Sequence, residues 1–252
     1  MTTKRRTIAL LMDYVRGEYQ SEVRFGVERA AEAHDVNLLV AFGETLALSG
    51  ASGSAQNSIY HLIGSETVDG VIVASATLCH HVGIDGMRRF CRSYAPLPVC
   101  SLGMAIEGVP SLVVDNALGI EISVGHLVDD HGRRRVAYIG GPASNEEAEV
   151  RARAYWRALE ARSLPFDERL VASGAFTIDT GRAAMREILE RGVELDAVVA
   201  ANDNMALGAI ELLEARGLRV PGDVLVCGFD DAVIARFSKP SLTTIRQPIK
   251  RL

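Results

Sequence analysis

Short apolar runs recur along the chain, at 7–12 (TIALLM), 36–42, 70–74, 99–102, 111–114, 136–139, 170–173, 197–200 and 224–229. They are a few residues long and mostly lack polar alternation. That pattern predicts strands covered on both faces, as in parallel sheets. Between the runs, the apolar positions switch to helical spacing. Val23, Val27, Ala30 and Ala31 predict a helix over 22–33, and Ile120, Val124, Leu127 and Val128 one over 120–128. Ala152, Tyr155 and Leu159 predict a third over 149–161. Two more are expected over 181–190 (Ala184, Met185, Ile188, Leu189) and 204–215 (Leu207, Ile210, Leu212). A shorter helix is expected near 56–63, after the small-residue loop at 49–55. Strand and helix alternate, which implies parallel sheets with right-handed crossovers.

No long linker divides the chain. The expected boundary is Asp115-Asn116, after the strand at 111–114 and before the next helix. Residues 1–115 are expected to form an N-terminal lobe and 116–245 a C-terminal lobe, with 246–252 returning to the first. Several strands deliver polar side chains at their carboxyl ends. The run at 197–200 leads into Asn202-Asp203, and the run at 224–229 ends in Asp230-Asp231. In open parallel α/β sheets, ligands bind beyond those ends.

Composition narrows the function. About half of the 252 residues are hydrophobic and about a quarter charged, so the chain should fold rather than stay disordered. Its formal net charge is -5, whereas a nucleic-acid-binding module normally shows a basic face. The two basic runs, Lys4-Arg5-Arg6 and Arg133-Arg134-Arg135, read as a solvated terminus and a solvated turn. Cys79, Cys91, Cys100 and Cys227 have no Cys-x-x-Cys spacing, and reduced, buried thiols are expected. The apolar run after Met1 is too short for a signal peptide or a membrane span, which makes the cytoplasm the expected location.

Catalytic signatures are missing from the sequence. There is no phosphate-cradling Gly-rich loop after the first strand, no Gly-x-Ser-x-Gly elbow and no His-Glu-x-x-His. Cys79-His80-His81 are adjacent and do not readily converge on one ion. No enzyme activity, metal or cofactor is expected.

Three segments carry a resemblance: ANDNMALGA (201–209), VPGDVLVCGFDD (220–231) and LTTIRQP (242–248). Together they closely resemble the effector-binding domain of the LacI/GalR family, which shares its fold with periplasmic sugar-binding proteins. The resemblance covers about residues 7 to 248. It implies two Rossmann-like lobes, each a parallel sheet flanked by helices, joined by hinge strands near Asp115 and Ile245. It further implies a small-molecule effector, a sugar or related polar metabolite, that works by ligand-linked lobe closure. A homodimer is implied as well, with DNA contacted only through a module absent from this chain and no membrane partner.

Residue by residue, the family's ligand-contacting positions fall on Arg151, Phe176, Asn202 and Asp230. An aspartate accepts hydrogen bonds from hydroxyls, arginine and asparagine donate in planar geometry, and an aromatic ring can cover an apolar sugar face. Each position also has a plainer reading. Arg151 fits an exposed helix surface, Phe176 the lobe core, Asn202 a helix N-cap, and Asp230 or Asp231 a turn. From the first lobe, Tyr14, Tyr19 and Ser75 are further ligand candidates, with Glu18 and Thr77 beside them. The segment RGEYQ departs from the family's pattern there, and Gly103 stands where some members carry a polar contact. The first departure implies an unusual ligand, and the second bears against an ordinary sugar specificity.

In this family a DNA-binding helix-turn-helix precedes the domain, and a helix and strands follow the Gln-Pro segment. An excised piece, or the start of a longer protein, is therefore expected. Two alternatives stay open: the sensory domain of a multidomain kinase or cyclase, and a transport sugar-binding protein.

Overall fold

The computed structural model describes residues 5–13, 17–46, 55–79, 81–143 and 145–248, and the Glu18 side chain is outside that description. Tyr14, His80 and most of the 49–55 loop therefore lie outside the described residues. The chain folds as two compact units. The first reaches Val114, and the second runs from Asp115 to Gln247; Asn145, Glu146 and Pro248 group with the first.

The first unit contains β1 (Thr7–Met12), α1 (Glu18–Ala33), β2 (Asn37–Phe42), a 3-10 turn (Ala55–Leu62) and β3 (Gly70–Val73). It continues with α2 (Ser75–Leu78), α3 (Gly83–Arg92), β4 (Val99–Leu102) and β5 (Ser111–Leu112). The strands form one sheet in the order β2-β1-β3-β4-β5, every pair parallel. The two-residue period of a strand sorts the apolar residues of β1 onto the two faces. Ala9 and Leu11 join one buried layer with Val71, Val73, Leu78 and Met87, while Leu10 and Met12 join another with Val23 and Ala74. Burying each such leucine contributes about 2 kcal/mol before entropy is counted. That explains why TIALLM carries no polar alternation.

The second unit contains α4 (Asn116–Gly125), a π-helical turn (His126–Asp130), β6 (Val136–Gly140), α5 (Glu146–Glu160) and β7 (Val171–Ser173). Next come α6 (Ile178–Glu190), β8 (Ala197–Ala200), α7 (Asp203–Ala215), β9 (Leu225–Asp230), α8 (Val233–Phe237) and β10 (Thr243–Arg246). The order is β10-β9-β8-β6-β7, again all parallel. β8 is fully buried, and so are its flanking apolar neighbours. α6 and α7 pack closely because position 208 is glycine: a Cβ there would lie 2.0 Å from the Ile178 carbonyl oxygen.

Some boundaries differ from the sequence pattern. β10 keeps Arg246 on the second sheet, paired with Asp230, so the chain leaves this unit at Pro248 rather than at Arg246. The expected helix at 56–63 is a 3-10 turn, and α2, α3 and α8 were not expected at all. α2 and α8 are too short to carry a helical period. The Cys100 thiol is only half buried, unlike the other three; all four are free. Arg133–Arg135 lie in the loop before β6, where the Arg134 and Arg135 amides donate to the Asp196 carboxylate. Among the described residues, no helix is long and apolar enough to cross a membrane.

Candidate functional site

The polar residues named from sequence in the second unit gather at the carboxyl ends of its strands. α5 carries Arg151 into the interior, where the residue is 3% exposed, so a surface arginine is not what the fold builds. Its Nε donates to Asn116 Oδ1 (2.8 Å) and its Nη1 to the Ala201 carbonyl (2.6 Å). The guanidinium lies over the Phe229 ring at 4.0 Å, a cation–π contact. Nη1 stands 3.9 Å from Asp230 Oδ1. A buried charge needs such neighbours, since an unpaired one costs several kcal/mol.

Asp230 ends β9, and a third of its side chain remains exposed. Gln247 donates its Nε2 to Asp230 Oδ1 at 2.6 Å. Burial pushes the Asp230 carboxyl up to about 7, against the opposing pull of the Arg151 charge and the Gln247 hydrogen bond. The neighbouring Asp231 behaves oppositely. Arg236 and Arg246 both bind its carboxylate and hold it below the usual range.

Asn202 caps α7: its Oδ1 accepts the Met205 amide at 3.0 Å. Its Nδ2 donates to the Phe176 carbonyl (3.1 Å), as does Asn204 Nδ2 (3.3 Å). The cap reading is thus realised, and the same side chain anchors a second candidate. The Phe176 ring is half buried and lies against Gly141 and the core.

Backbone strain concentrates here. Among the described residues, five non-glycines have positive φ: Asp35 (53°), Ser163 (54°), Phe176 (62°), Asp230 (121°) and Asp231 (57°). The first two follow the ends of α1 and α5, an ordinary place for a left-handed residue. The other three belong to the candidate site, and each such residue costs about 1–3 kcal/mol that surrounding contacts must offset.

Of the buried polar atoms without a hydrogen-bond partner among the described residues, two belong to this network: Gln247 Oε1 and the Tyr138 hydroxyl. Tyr138 stacks on Tyr155 with centroids 4.7 Å apart, and its hydroxyl feels the Arg151 charge. Sequence reasoning missed Asn116, Tyr138 and Gln247. Asn116 and Gln247 stood in segments read only as hinges, and Tyr138 in a strand read only as core.

The candidates of the first unit have other surroundings. Ser75 is fully buried and accepts a 2.8 Å bond from the Ser101 hydroxyl, which turns it inward. The buried Thr77 donates to the Ala74 carbonyl. Tyr19 lies on α1 with its hydroxyl 3.3 Å from where a Cβ on residue 103 would sit, so glycine at 103 leaves room for it. Among the described residues, no group of three or more His, Cys, Asp or Glu stands ready to hold a metal ion.

The family model of the periplasmic binding protein-like domain matches residues 124–252. The ribose operon repressor of Escherichia coli (strain K12) is 31% identical over 246 residues, covering 96% of this chain and 70% of that protein. The HTH-type transcriptional regulator CelR of Thermobifida fusca is 42% identical over 147 residues, 58% of this chain and 43% of that protein. The chain's matches span less than half the length of CelR and GalR. Among solved structures, a CelR–cellobiose complex superposes with a TM-score of 0.82 at 32% identity, covering 98% of this chain and 75% of that one. A lac repressor dimer bound to operator and the anti-inducer ONPF gives 0.83 at 22% identity, with 99% and 83% covered, which speaks for the fold alone.

Proposed function

The chain belongs to the LacI/GalR family of effector-binding domains, and from that premise we propose that it is the sugar-sensing part of a transcriptional regulator. The observation that carries the reading is the grouping of Arg151, Asp230 and Gln247 at the strand ends, with Phe176 and Asp230 held in strained conformations. Asp230 offers a carboxylate to sugar hydroxyls, Gln247 offers a carbonyl acceptor, and Phe176 offers a ring face. Such a set suits a polyhydroxylated ligand of the kind named for the relatives, ribose or cellobiose.

The ligand acts by favouring one of two conformations of the protein. It shifts their balance only by its difference in affinity for them. DNA is reached through a module outside these 252 residues, the working form is a homodimer in the cytoplasm, and the chain is a sensor without catalytic chemistry. The relatives named above are regulators, which favours this reading over a kinase or cyclase sensor and over a transport protein.

A thermal-shift screen with ribose, cellobiose, sugar acids, polyols and nucleosides tests it. At a hundred times its dissociation constant, a ligand adds about 2.7 kcal/mol of stability. A shift in the wild type that is lost in Asp230→Ala is expected. A well-folded wild type that responds to no sugar would remove the sugar class.

A further inference from the structure

The strained turn after β9 is held by a pair of residues that the proposed ligand set does not include. Asp203, the first residue of α7, is fully buried. Its Oδ2 accepts the Ala232 amide at 2.7 Å, and its Oδ1 accepts the Thr244 hydroxyl. The same Thr244 oxygen accepts the Asp231 amide at 3.3 Å. The two amides that follow Asp230 are therefore both tied to one linked pair, a side chain from α7 and a side chain from β10.

Position 228 is shaped for this arrangement. A Cβ there would lie 2.2 Å from Asp203 Oδ1, so only glycine lets the carboxylate reach β9. The register places Thr244 opposite Gly228 and Arg246 opposite Asp230 on the neighbouring strand. The three motif segments of the sequence, AND, GFDD and LTT, meet at this point.

We infer that Asp203 and Thr244 are positioning residues. Together they clasp the 230–232 turn and thereby aim the Asp230 carboxylate at its ligand, while touching no ligand themselves. Asp230 and Asp231 need φ values of 121° and 57°, which L-residues rarely adopt. Without bonds at both following amides, the turn relaxes toward ordinary conformations, and Asp230 leaves the position where Gln247 and Arg151 meet it. This inference rests on the sugar-binding reading for its ligand, but not for its geometry.

The test uses the whole chain with Thr244→Val, Thr244→Ser and Asp203→Asn. Two quantities are read: the amide-to-α-proton coupling of Asp230 by NMR without ligand, and calorimetric affinity for ribose and cellobiose. Thr244→Val should abolish the coupling of a positive φ at Asp230 and weaken the sugar that the wild type binds by about tenfold. In an Asp230→Asn background the same change should cost nothing further. Thr244→Ser, which keeps the hydroxyl, should restore both readouts, and a purely structural role would move melting temperature alone. Should Thr244→Val fold poorly, Asp203→Asn gives the same two readouts. Wild-type coupling and affinity in Thr244→Val and Asp203→Asn would overturn the clasp. If the wild type binds neither sugar, the sugar reading for these probes fails, while the ligand-free coupling still decides the clasp.

Discussion

The two units are built on the same plan and use their strand ends differently. Each is a five-stranded parallel sheet in a doubly wound order. In the first, the polar residues at the carboxyl end of β3 satisfy their own backbone and each other: Ser75 pairs with Ser101, and Thr77 bonds Ala74. In the second, Arg151, Asp230 and Gln247 meet with acceptors left over, in a backbone strained at Phe176, Asp230 and Asp231. A polar residue at a strand end is therefore not in itself a ligand contact. What separates these two strand ends is whether the hydrogen-bonding capacity is already spent.

The comparison breaks most visibly at Arg151. Its removal leaves Asn116 Oδ1 and the Ala201 carbonyl without their donor and Asp230 without a nearby cation. Arg151→Ala should cost about 3–5 kcal/mol, read as a lower urea midpoint. Ser101→Ala, which deletes the hydroxyl bonded to Ser75 and to the Met104 carbonyl in the first unit, should cost only about 1–2 kcal/mol in the same titration. Equal losses would mean that the second unit's network is no more than another structural hydrogen bond.

Asp230→Ala should separate binding from folding. We expect sugar affinity to fall by about 2–3 kcal/mol, because a charged hydrogen-bond acceptor is lost. Stability should be kept or raised, because a carboxylate with a desolvation penalty is gone. Calorimetric titration beside a denaturation curve checks both halves, and a large stability loss would assign Asp230 to the scaffold.

A smaller effect concerns pH. The Asp230 carboxyl is raised in the folded state to about 7 by burial, and Asp203 to about 6 for the same reason. Arg151, Gln247, Asp203 and Glu147 are the groups that act on Asp230. A carboxyl raised on folding favours the native state when protonated. Its contribution is complete below the unfolded value near 4 and is lost as pH rises through about 7. Ligand-free wild type should therefore lose stability between pH 5 and pH 8, and Asp230→Asn should flatten that slope in part, leaving the share due to Asp203. Urea midpoints at the two pH values decide it, and identical slopes would place Asp230 in water.

The smallest expected effect sharpens the role of Asn202. Replacing the cap by alanine should cost about 1 kcal/mol. It should also loosen Phe176, whose carbonyl then keeps only Asn204. Faster amide hydrogen exchange at 175–178 and at Met205, with the rest of α7 unchanged, is the expected pattern.

Much of this was legible in the chain. β1, β4 and β8 fall where the apolar runs put them, because a strand buried on both faces needs an unbroken apolar stretch. β10 is an edge strand, exposed at Thr243 and Arg246, and only the resemblance marked it as a hinge. Arg151, Phe176, Asn202 and Asp230 were named from motif positions and lie in one unit. Gln247 and Asp203 stood in the same motifs but carried no chemical signal of their own, since a glutamine in a hinge and an acid beside a helix cap read as ordinary surface residues.

The sequence by itself determined the alternation of strand and helix, the family and the residue types at the strand ends. Hydrophobic period and motif spacing are local quantities, written in consecutive residues. Only the tertiary structure decided which polar groups remain unspent. Whether a hydroxyl or carboxylate is already bonded depends on residues tens of positions away, as with Asp203 and Thr244, 41 residues apart. Burial raises the Asp230 carboxyl for the same reason: desolvation belongs to the packed interior that surrounds a residue, and its neighbours along the chain do not reveal it.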